Sequence, residues 1–158
     1  MQASAALEIG QMAPDFKLKG PGGQPVTLSE YRGQRNVVLV FYPLAFSPVC
    51  SHQLPAIQHE IARFDELGAT VLGISVDSHH ANTAFAERLR LSFPLLSDFK
   101  REVSAAYGVL MPEAGHSGRA IFVVDRQGRV SYADVSPTTG MDQIPNNDQV
   151  LAHLAGLA

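Results

Sequence analysis

Three apolar runs without polar alternation constrain the fold of this chain more than any other feature of its sequence. They span Val37–Tyr42, Thr70–Val76 and Ala120–Val124, and they are rich in β-branched and aromatic side chains. Strands of this composition are buried on both faces, which is typical of the middle of a sheet covered by helices. The runs therefore predict the central strands of an α/β fold.

The segment between the first two runs predicts a helix. Its apolar residues recur on one helical face, at Leu54, Ile57, Ile61, Phe64 and Leu67. Gly68 stands where a glycine commonly ends a helix. Pro55 has no N–H to donate to the carbonyl of Ser51, so we expect a kink or a break at Pro55.

Turn and cap signals delimit the remaining elements. At the N-terminus they indicate strands at Asp15–Leu18 and Val26–Leu28, joined by a turn at Gly20–Pro25. After the second apolar run they indicate a helix over His79–Leu91, with Asp77 or Ser78 as N-cap and Phe85 and Leu89 facing inward, then a short edge strand at Phe93–Leu96 and a helix from about Lys100 to Tyr107 capped by Asp98. After the third run they indicate a turn at Asp125–Gly128, a strand at Val130–Val135 and a final helix beginning at Asn146 or Asn147.

This order of elements predicts a single α/β domain over residues 1–158, with a mixed sheet that is parallel in the middle and antiparallel at one edge. A β-hairpin extends it at the N-terminus. That is the thioredoxin-like layout, although element order alone does not separate it from other small α/β folds.

Composition excludes several functional classes. Twelve Lys and Arg against 15 Asp and Glu give a net charge of −3 without a basic run, which argues against nucleic-acid binding. The longest apolar run, Val37–Phe46, is half a membrane span and contains Pro43, and Met1–Gly10 lacks the pattern of a signal peptide. One cysteine permits no intrachain disulfide. We therefore expect a soluble, cytoplasmic protein with no membrane or nucleic-acid partner.

The single cysteine lies in the most informative segment. Pro43 directly follows the first apolar run and cannot extend a strand ladder, so the chain leaves the sheet there. Ser47 and Pro48 form a favourable helix opening, with a hydroxyl N-cap and a proline at the first helical position. Cys50 then falls in the first turn, where the helix dipole lowers a thiol pKa from its usual value of about 8.5.

A lone cysteine in such a protein is usually a small buried hydrophobe. The proline exit, the serine cap and the first-turn position shift the balance, and together they favour a reactive thiol. The site would also lie at the carboxyl end of a central strand, where open α/β sheets place their ligands.

These residues resemble a known family. Pro43-x-x-x-Ser47-x-x-Cys50 is similar to the peroxiredoxin active-site motif P-x-x-x-(T/S)-x-x-C, and the likeness extends over almost the whole chain. The supporting segments are Gly10-x-x-Ala-Pro-Asp-Phe16, Val26-x-Leu-Ser-x-Tyr31, Leu39-x-Phe-Tyr-Pro43, Gly73-Ile-Ser-Val-Asp-Ser78, Phe93-Pro-Leu-Leu-Ser-Asp98, Tyr107-Gly-Val109 and Arg119-x-x-Phe-Val-Val-Asp125. The single thiol makes the chain most similar to the one-cysteine alkyl hydroperoxide reductase E type.

The resemblance implies a reaction and a set of roles. Cys50 would be the peroxidatic cysteine, attacking hydrogen peroxide and organic hydroperoxides. Ser47 would bond the thiolate and the peroxide, Arg119 would hold the thiolate and polarise the O–O bond, and Pro43 would shield the pocket. The resemblance also implies substrate contacts from Val49 and Gln53. Tyr42 and Phe46 are either substrate-facing aromatics or core residues, and the resemblance favours a substrate contact for both. It implies a homodimer, and no metal, haem or flavin.

Several positions depart from the family pattern. Ser47 stands where threonine is commoner and lacks the methyl that stiffens χ1. Gln53 replaces the glutamate of many members, and we expect it to hydrogen-bond near Arg119. Pro55 occupies a position where some members carry a resolving cysteine. With no second thiol, the Cys50 sulfenic acid would need an external reductant: a low-molecular-weight thiol, a glutaredoxin-like protein or a thioredoxin-like protein.

Other functions are less well supported. A thioredoxin-type reductase needs C-x-x-C, but the fourth position is Gln53, and a copper-delivery relative needs a second cysteine. The histidines do not have metal-ligand spacing: His52 and His59 are seven apart and His79 and His80 are adjacent. His116 is a candidate for the pocket mouth. A non-enzymatic redox sensor or chaperone stays open, and turnover with added thiol distinguishes it from a peroxidase.

Overall fold

The computed structural model describes residues 7–48, 50–136 and 147–157, with the main chain alone described at Cys50. Within these ranges, seven strands form one mixed sheet in the order β2-β1-β5-β4-β3-β8-β9, and β6 pairs with β7 beside it. The strands are β1 (Lys17–Lys19), β2 (Pro25–Thr27), β3 (Asn36–Phe41), β4 (Ala69–Ser75), β5 (Leu95–Ser97), β6 (Leu110–Met111), β7 (His116–Ser117), β8 (Ala120–Val124) and β9 (Val130–Val135).

The helices cover both faces of this sheet. They are α1 (Cys50–His59), α2 (Ile61–Glu66), α3 (His79–Leu89), α4 (Glu102–Ala106) and α5 (Asn147–Leu157), with two short 3₁₀ helices at Pro21–Gly23 and Leu28–Tyr31. In the part of the chain that the structure describes, no helix is long and apolar enough to cross a membrane.

The three apolar runs form the middle of the sheet, as predicted. β3 pairs in parallel with β4 and antiparallel with β8, and every residue of β3 and β8 is buried. The parallel pairs β3–β4 and β4–β5 are joined by helical crossovers, α1 with α2 and then α3. The predicted thioredoxin-like α/β class with a sheet that is parallel in the middle is confirmed. The antiparallel pairing was predicted at one edge, but it occurs on both sides of the parallel strands, because the N-terminal hairpin pairs with β5 and β8 pairs with β3.

The prediction of an edge strand at Phe93–Leu96 was wrong in position and in role. β5 spans Leu95–Ser97 and lies between β4 and β1, because the N-terminal hairpin pairs with it through Lys19 and Ser97. All three residues of β5 are buried. Among the described residues, β2 and β9 are the two edge strands of the sheet.

Two helices differ from their predicted form. α1 continues through Pro55 to His59, and the interruption falls at Glu60, before α2 begins. Burial of Leu54 and Ile57 in the core holds α1 in place across the missing hydrogen bond, since burying each such side chain contributes roughly 1.5–3 kcal/mol. Gly68, at φ +75°, ends the α2 segment as predicted.

The helix expected from about Lys100 to Tyr107 is shorter. α4 begins at Glu102 because Arg101 takes a left-handed conformation, with φ +66°. The carboxylate of Asp98 nevertheless caps it, accepting hydrogen bonds from the main-chain N–H groups of Val103 at 3.1 Å and Ser104 at 2.7 Å. α3 begins after Ser78, whose hydroxyl accepts from the Ala81 N–H at 3.1 Å.

Tyr107 lies in the core on the α4 side of the sheet. Because its phenol is buried there, we expect the folded protein to lose stability at alkaline pH. The Tyr107 hydroxyl donates to the Pro14 carbonyl at 2.7 Å, and burial, together with the negative charge of Asp15, raises its pKa well above the usual value. The folded state therefore favours the protonated phenol. Since an unfolded tyrosine ionises near pH 10, this contribution is present below about pH 10 and declines as the pH rises above it.

We expect the free energy of unfolding to fall as the pH rises above about 10, and Tyr107→Phe to flatten that decline. The substitution also removes a hydrogen bond and should cost about 1 kcal/mol near neutrality. Urea unfolding at stepped pH measures both effects. A variant whose alkaline decline matches that of the wild type would contradict the assignment.

Candidate active site

The carboxyl ends of β3, β4 and β5 meet at one edge of the sheet, where the loop after β3 carries the motif residues. The N–H of Tyr42 still donates to the Ile74 carbonyl at 3.0 Å, and the chain turns away at Pro43, which is buried. α1 follows within eight residues. The strand exit predicted at Pro43 is therefore present.

Ser47 begins the helix through its main chain rather than through its hydroxyl. Its carbonyl accepts from the N–H of Ser51 at 3.0 Å and from the Ser51 hydroxyl at 2.9 Å. The buried Oγ of Ser47 has no hydrogen-bond partner among the described residues. The predicted hydroxyl cap was wrong, because the Ser47 Oγ accepts no hydrogen bond from a main-chain N–H of the described residues.

Arg119 is buried beside α1. Its side chain is 1% exposed, and its Nη1 donates to Oε1 of Gln53 at 2.7 Å. Guanidinium groups only donate, so the amide of Gln53 must present its oxygen to Arg119. This confirms the expected contact between Gln53 and Arg119.

The second amide atom of Gln53 is available for another contact. Gln53 is 2% exposed, and its Nε2 is buried with no partner within the described ranges. Gln53 lies three residues after Cys50 on α1, and residues at this spacing share one helix face. Arg119 therefore contacts α1 three residues beyond position 50.

The sheet register explains how Arg119 reaches this position. β8 runs antiparallel to β3, so that Ala120 pairs with Phe41 and the residue before β8 lies next to the residue after β3. The Ser117 hydroxyl donates to the Tyr42 carbonyl at 3.3 Å, and the Arg119 carbonyl accepts from the Ser136 N–H at 2.9 Å.

Tyr42 and Phe46, both expected to face substrate, have different surroundings. Phe46 is 50% exposed and its ring packs 4.9 Å from that of Phe85, which leaves one face open beside the loop. Tyr42 is fully buried, and its hydroxyl donates to Oδ1 of Asn82 at 2.6 Å. This corrects the expectation for Tyr42, which is a core residue rather than a pocket wall. Val49 lies outside the described residues.

Asp77 has a function that the sequence did not indicate. Of the two N-caps predicted for α3, Asp77 and Ser78, it is Ser78 that makes the cap. The Asp77 carboxylate instead accepts a hydrogen bond from the N–H of Ala45 at 2.8 Å. The available signal was a pair of polar residues, Ser75 and Asp77, at the end of an otherwise apolar strand.

The histidines are spread over the molecule, except that the ring centroids of His79 and His80 lie 3.9 Å apart. His52, His59 and His80 are exposed, and His79 is half-buried. His116 is half-buried in β7, where its Nδ1 donates to the Ser117 carbonyl at 2.8 Å. Among the described residues, no three His, Cys, Asp or Glu side chains converge as a metal site would require.

A groove in the described surface lies apart from this loop. It lies between β1, β5 and α4, and it is lined by apolar residues such as Phe16, Val103 and Tyr107 with Lys17 and Lys100 at its rim. None of Pro43, Ser47, Gln53 and Arg119 lines it. The site assembled after β3 is thus separate from this groove and is built from the loop, α1 and the start of β8.

A scan of family models matches the AhpC/TSA family over residues 9–133. The chain belongs to this family: it is a peroxiredoxin, a thiol-dependent peroxidase. Among curated proteins, alkyl hydroperoxide reductase E of Mycobacterium tuberculosis is 41% identical over 131 residues, covering 82% of this chain and 86% of the relative. A putative peroxiredoxin of Synechocystis sp. is also 41% identical, over 82% of this chain and 70% of its own.

Solved structures agree with the fold. Peroxidoxin BcpB of Mycobacterium tuberculosis superposes with a TM-score of 0.86 at 32% identity, covering 96% of this chain and 99% of its own. AhpC of the same organism gives a TM-score of 0.85 at 29% identity, covering 96% and 93%. The similar proteins also include several named 2-Cys peroxiredoxins.

Proposed function

We propose that this chain is a one-cysteine peroxiredoxin that reduces hydrogen peroxide and organic hydroperoxides at Cys50. The observation that carries the proposal is the buried Arg119, bonded to Gln53 one turn after Cys50. An arginine that is 1% exposed and directed at the face of a helix carrying a thiol is a fixed positive charge for an anionic nucleophile.

The first step is a two-electron exchange. The Cys50 thiolate attacks the terminal oxygen of ROOH, an S–O bond forms and the O–O bond breaks, and the departing alkoxide takes a proton to leave as ROH. Cys50 is oxidised to a sulfenic acid and the peroxide is reduced. Arg119 stabilises the charge on the departing oxygen, and the unpartnered Oγ of Ser47 donates to the peroxide.

Other motif residues shape the site. Buried Pro43 keeps water from the thiolate, and the open face of Phe46 forms an apolar wall for the organic part of a substrate. Gln53 holds Arg119 through its oxygen and offers its Nε2 to a substrate oxygen. Val49 remains a proposed substrate contact from the motif alone.

Recycling requires a thiol from outside the chain. With one cysteine, the sulfenic acid condenses with an external thiol, releasing water and forming a mixed disulfide. A second thiol then attacks that disulfide and regenerates Cys50, leaving an oxidised disulfide of the reductant. A low-molecular-weight thiol, a glutaredoxin-like protein and a thioredoxin-like protein each fit this chemistry.

We propose further that the 158 residues form one domain, that the protein acts in the cytoplasm, and that it assembles as a homodimer. An exposed apolar strip beside the site supports association, since Leu44 and Phe46 are 40% and 50% exposed.

Intact-protein mass spectrometry tests the function. The reduced protein receives one equivalent of peroxide with a dimedone-type trap, and Cys50→Ser is the control. Rapid trapping of one sulfenic acid at Cys50, with repeated turnover when thiol is added, supports the peroxidase. Oxidation without turnover by any of the three reductant classes favours a sensor, and an unmodified thiol makes Cys50 a structural residue.

The pairing of Gln53 with Arg119 gives a second prediction. Gln53→Glu places a carboxylate against the guanidinium, so we expect the Cys50 pKa to rise and the peroxide reaction at neutral pH to slow by about threefold to tenfold. Alkylation by iodoacetamide across a pH series measures the pKa. Gln58→Glu is the matched control, because Gln58 lies on α1 and bonds to Ser92 instead. Unchanged alkylation profiles in Gln53→Glu would contradict the prediction.

A further inference from the structure

The corner between β4 and α3 contains hydrogen bonds that the mechanism above does not use. Asp77 is held there from two directions. The Ser75 hydroxyl donates to Oδ2 of Asp77 at 2.8 Å, and the Ser97 hydroxyl donates to the Asp77 main-chain carbonyl at 2.7 Å. Ser75 is fully buried, so the carboxylate is fixed from the core side.

The same oxygen of Asp77 accepts the hydrogen bond from Ala45 at 2.8 Å. Ala45 lies two residues before Ser47, in the middle of the loop that leads to Cys50. Within the part of the chain that the structure describes, this is the only hydrogen bond that ties the main chain of residues 43–46 to another element.

This loop needs an external anchor. Phe46 has φ +65°, a conformation that a bulky residue adopts only where its surroundings impose it. A bond from a carboxylate to a main-chain N–H is stronger than one between neutral groups. The Asp77–Ala45 bond therefore supplies a restraint that the loop's own sequence does not.

A buried branch connects this anchor to the end of β3. Asn82 Oδ1 accepts from the Tyr42 hydroxyl at 2.6 Å and lies 3.1 Å from the Ser75 hydroxyl, and Asn82 Nδ2 donates to the Leu96 carbonyl at 3.2 Å. The residue before Pro43 and the loop beyond it are thus fixed through the same serine.

We propose that Asp77 is a positioning residue for peroxide reduction. Its carboxylate holds Ala45, and through it the loop, so that the Ser47 hydroxyl and Cys50 stand in register with Arg119. This inference rests on the proposed function, because it assigns Asp77 to the geometry of that reaction. Asp77 itself does not touch the peroxide.

The test compares two reactions of Cys50. Stopped-flow measurement gives its rate with hydrogen peroxide, and iodoacetamide gives the reactivity of the thiolate alone. A displacement of a reacting group by about 1 Å lowers a reaction rate by up to about a hundredfold. We therefore expect Asp77→Ala to slow the peroxide reaction by about 10–100-fold, while the rate of alkylation changes by less than about threefold. Asp77→Asn keeps an acceptor oxygen and should stay within about threefold of the wild-type peroxide rate.

Two further variants complete the comparison. Ser75→Ala removes the support of the carboxylate without touching the loop, and it should slow the peroxide reaction by about threefold to tenfold. Asp125→Ala is the matched control, since its carboxylate also accepts main-chain N–H bonds, from Gln127 and Arg129, in the turn between β8 and β9. It should lower the melting temperature and leave the peroxide rate unchanged.

Three results would overturn the proposal. The first is a wild-type peroxide rate in folded Asp77→Ala or Ser75→Ala, and the second is an Asp77→Asn variant that reacts as slowly as Asp77→Ala. The third is a loss of alkylation rate in proportion to the loss of peroxide reactivity. If Asp77→Ala does not fold, the peroxide rates of Ser75→Ala and Asp77→Asn test the proposal in its place. A wild-type protein that fails to react with peroxide while its thiol alkylates normally would show instead that the proposed function is wrong.

Discussion

Arg119→Met is expected to slow the oxidation of Cys50 by hydrogen peroxide by about 10²–10³-fold, the effect typical of removing one preorganised charge-stabilising group. Methionine keeps much of the buried volume but removes the charge and every donor. Oε1 of Gln53 loses the donor that lies 2.7 Å away. The peroxide then has no fixed cation to stabilise its departing oxygen, so the rate constant falls.

Arg119→Lys separates charge from geometry. Lysine restores the charge but not the planar fork, so we expect a rate between those of methionine and arginine. Arg35→Met is the control, because Arg35 also makes side-chain hydrogen bonds, to Asp65 and Thr70, but near the start of β3 and β4. An Arg119→Met protein that is folded and reacts with peroxide as fast as Arg35→Met would show that Arg119 is structural.

The central strands could be predicted from the sequence because strands that are buried on both faces consist almost entirely of apolar residues. β3, β4 and β8 lie within a residue of their predicted bounds, and the antiparallel return of β9 follows from the turn at Asp125–Gly128. The position of β5 could not be predicted in this way. Whether a short apolar strand is an edge depends on another segment, here the N-terminal hairpin, pairing with it.

In the candidate site, too, local sequence signals predicted some features, whereas contacts between distant residues could not be predicted. Local signals located the strand exit at Pro43 and the helix start at Ser47. The contact between Arg119 and Gln53 joins residues 66 positions apart, and only the family resemblance indicated it, since no local pattern encodes the register of β3 against β8. The burial of the Ser47 Oγ without a partner among the described residues and the bond from Ala45 to Asp77 are tertiary features that no spacing rule contains.

Ser47→Ala should have the second large effect. The Ser47 Oγ is buried without a partner among the described residues, so the hydroxyl contributes little to folding and remains available to a substrate. Removing one such donor lowers the rate of the chemical step by about 10²–10³-fold in comparable sites, and we expect the peroxide reaction of Ser47→Ala to fall within or just below that range. The melting temperature should barely change, because no hydrogen bond within the protein is lost.

Ser51→Ala and Ser47→Thr make the comparison specific. Ser51 lies one turn further along the chain and its hydroxyl bonds the Ser47 carbonyl, so Ser51→Ala loses a structural hydrogen bond and should keep its peroxide rate. Ser47→Thr retains the donor and adds the methyl that restricts χ1, so it should equal or exceed the wild type. Stopped-flow oxidation of the three variants, with iodoacetamide alkylation as the reference, would contradict the role of Ser47 if Ser47→Ala and Ser51→Ala reacted alike.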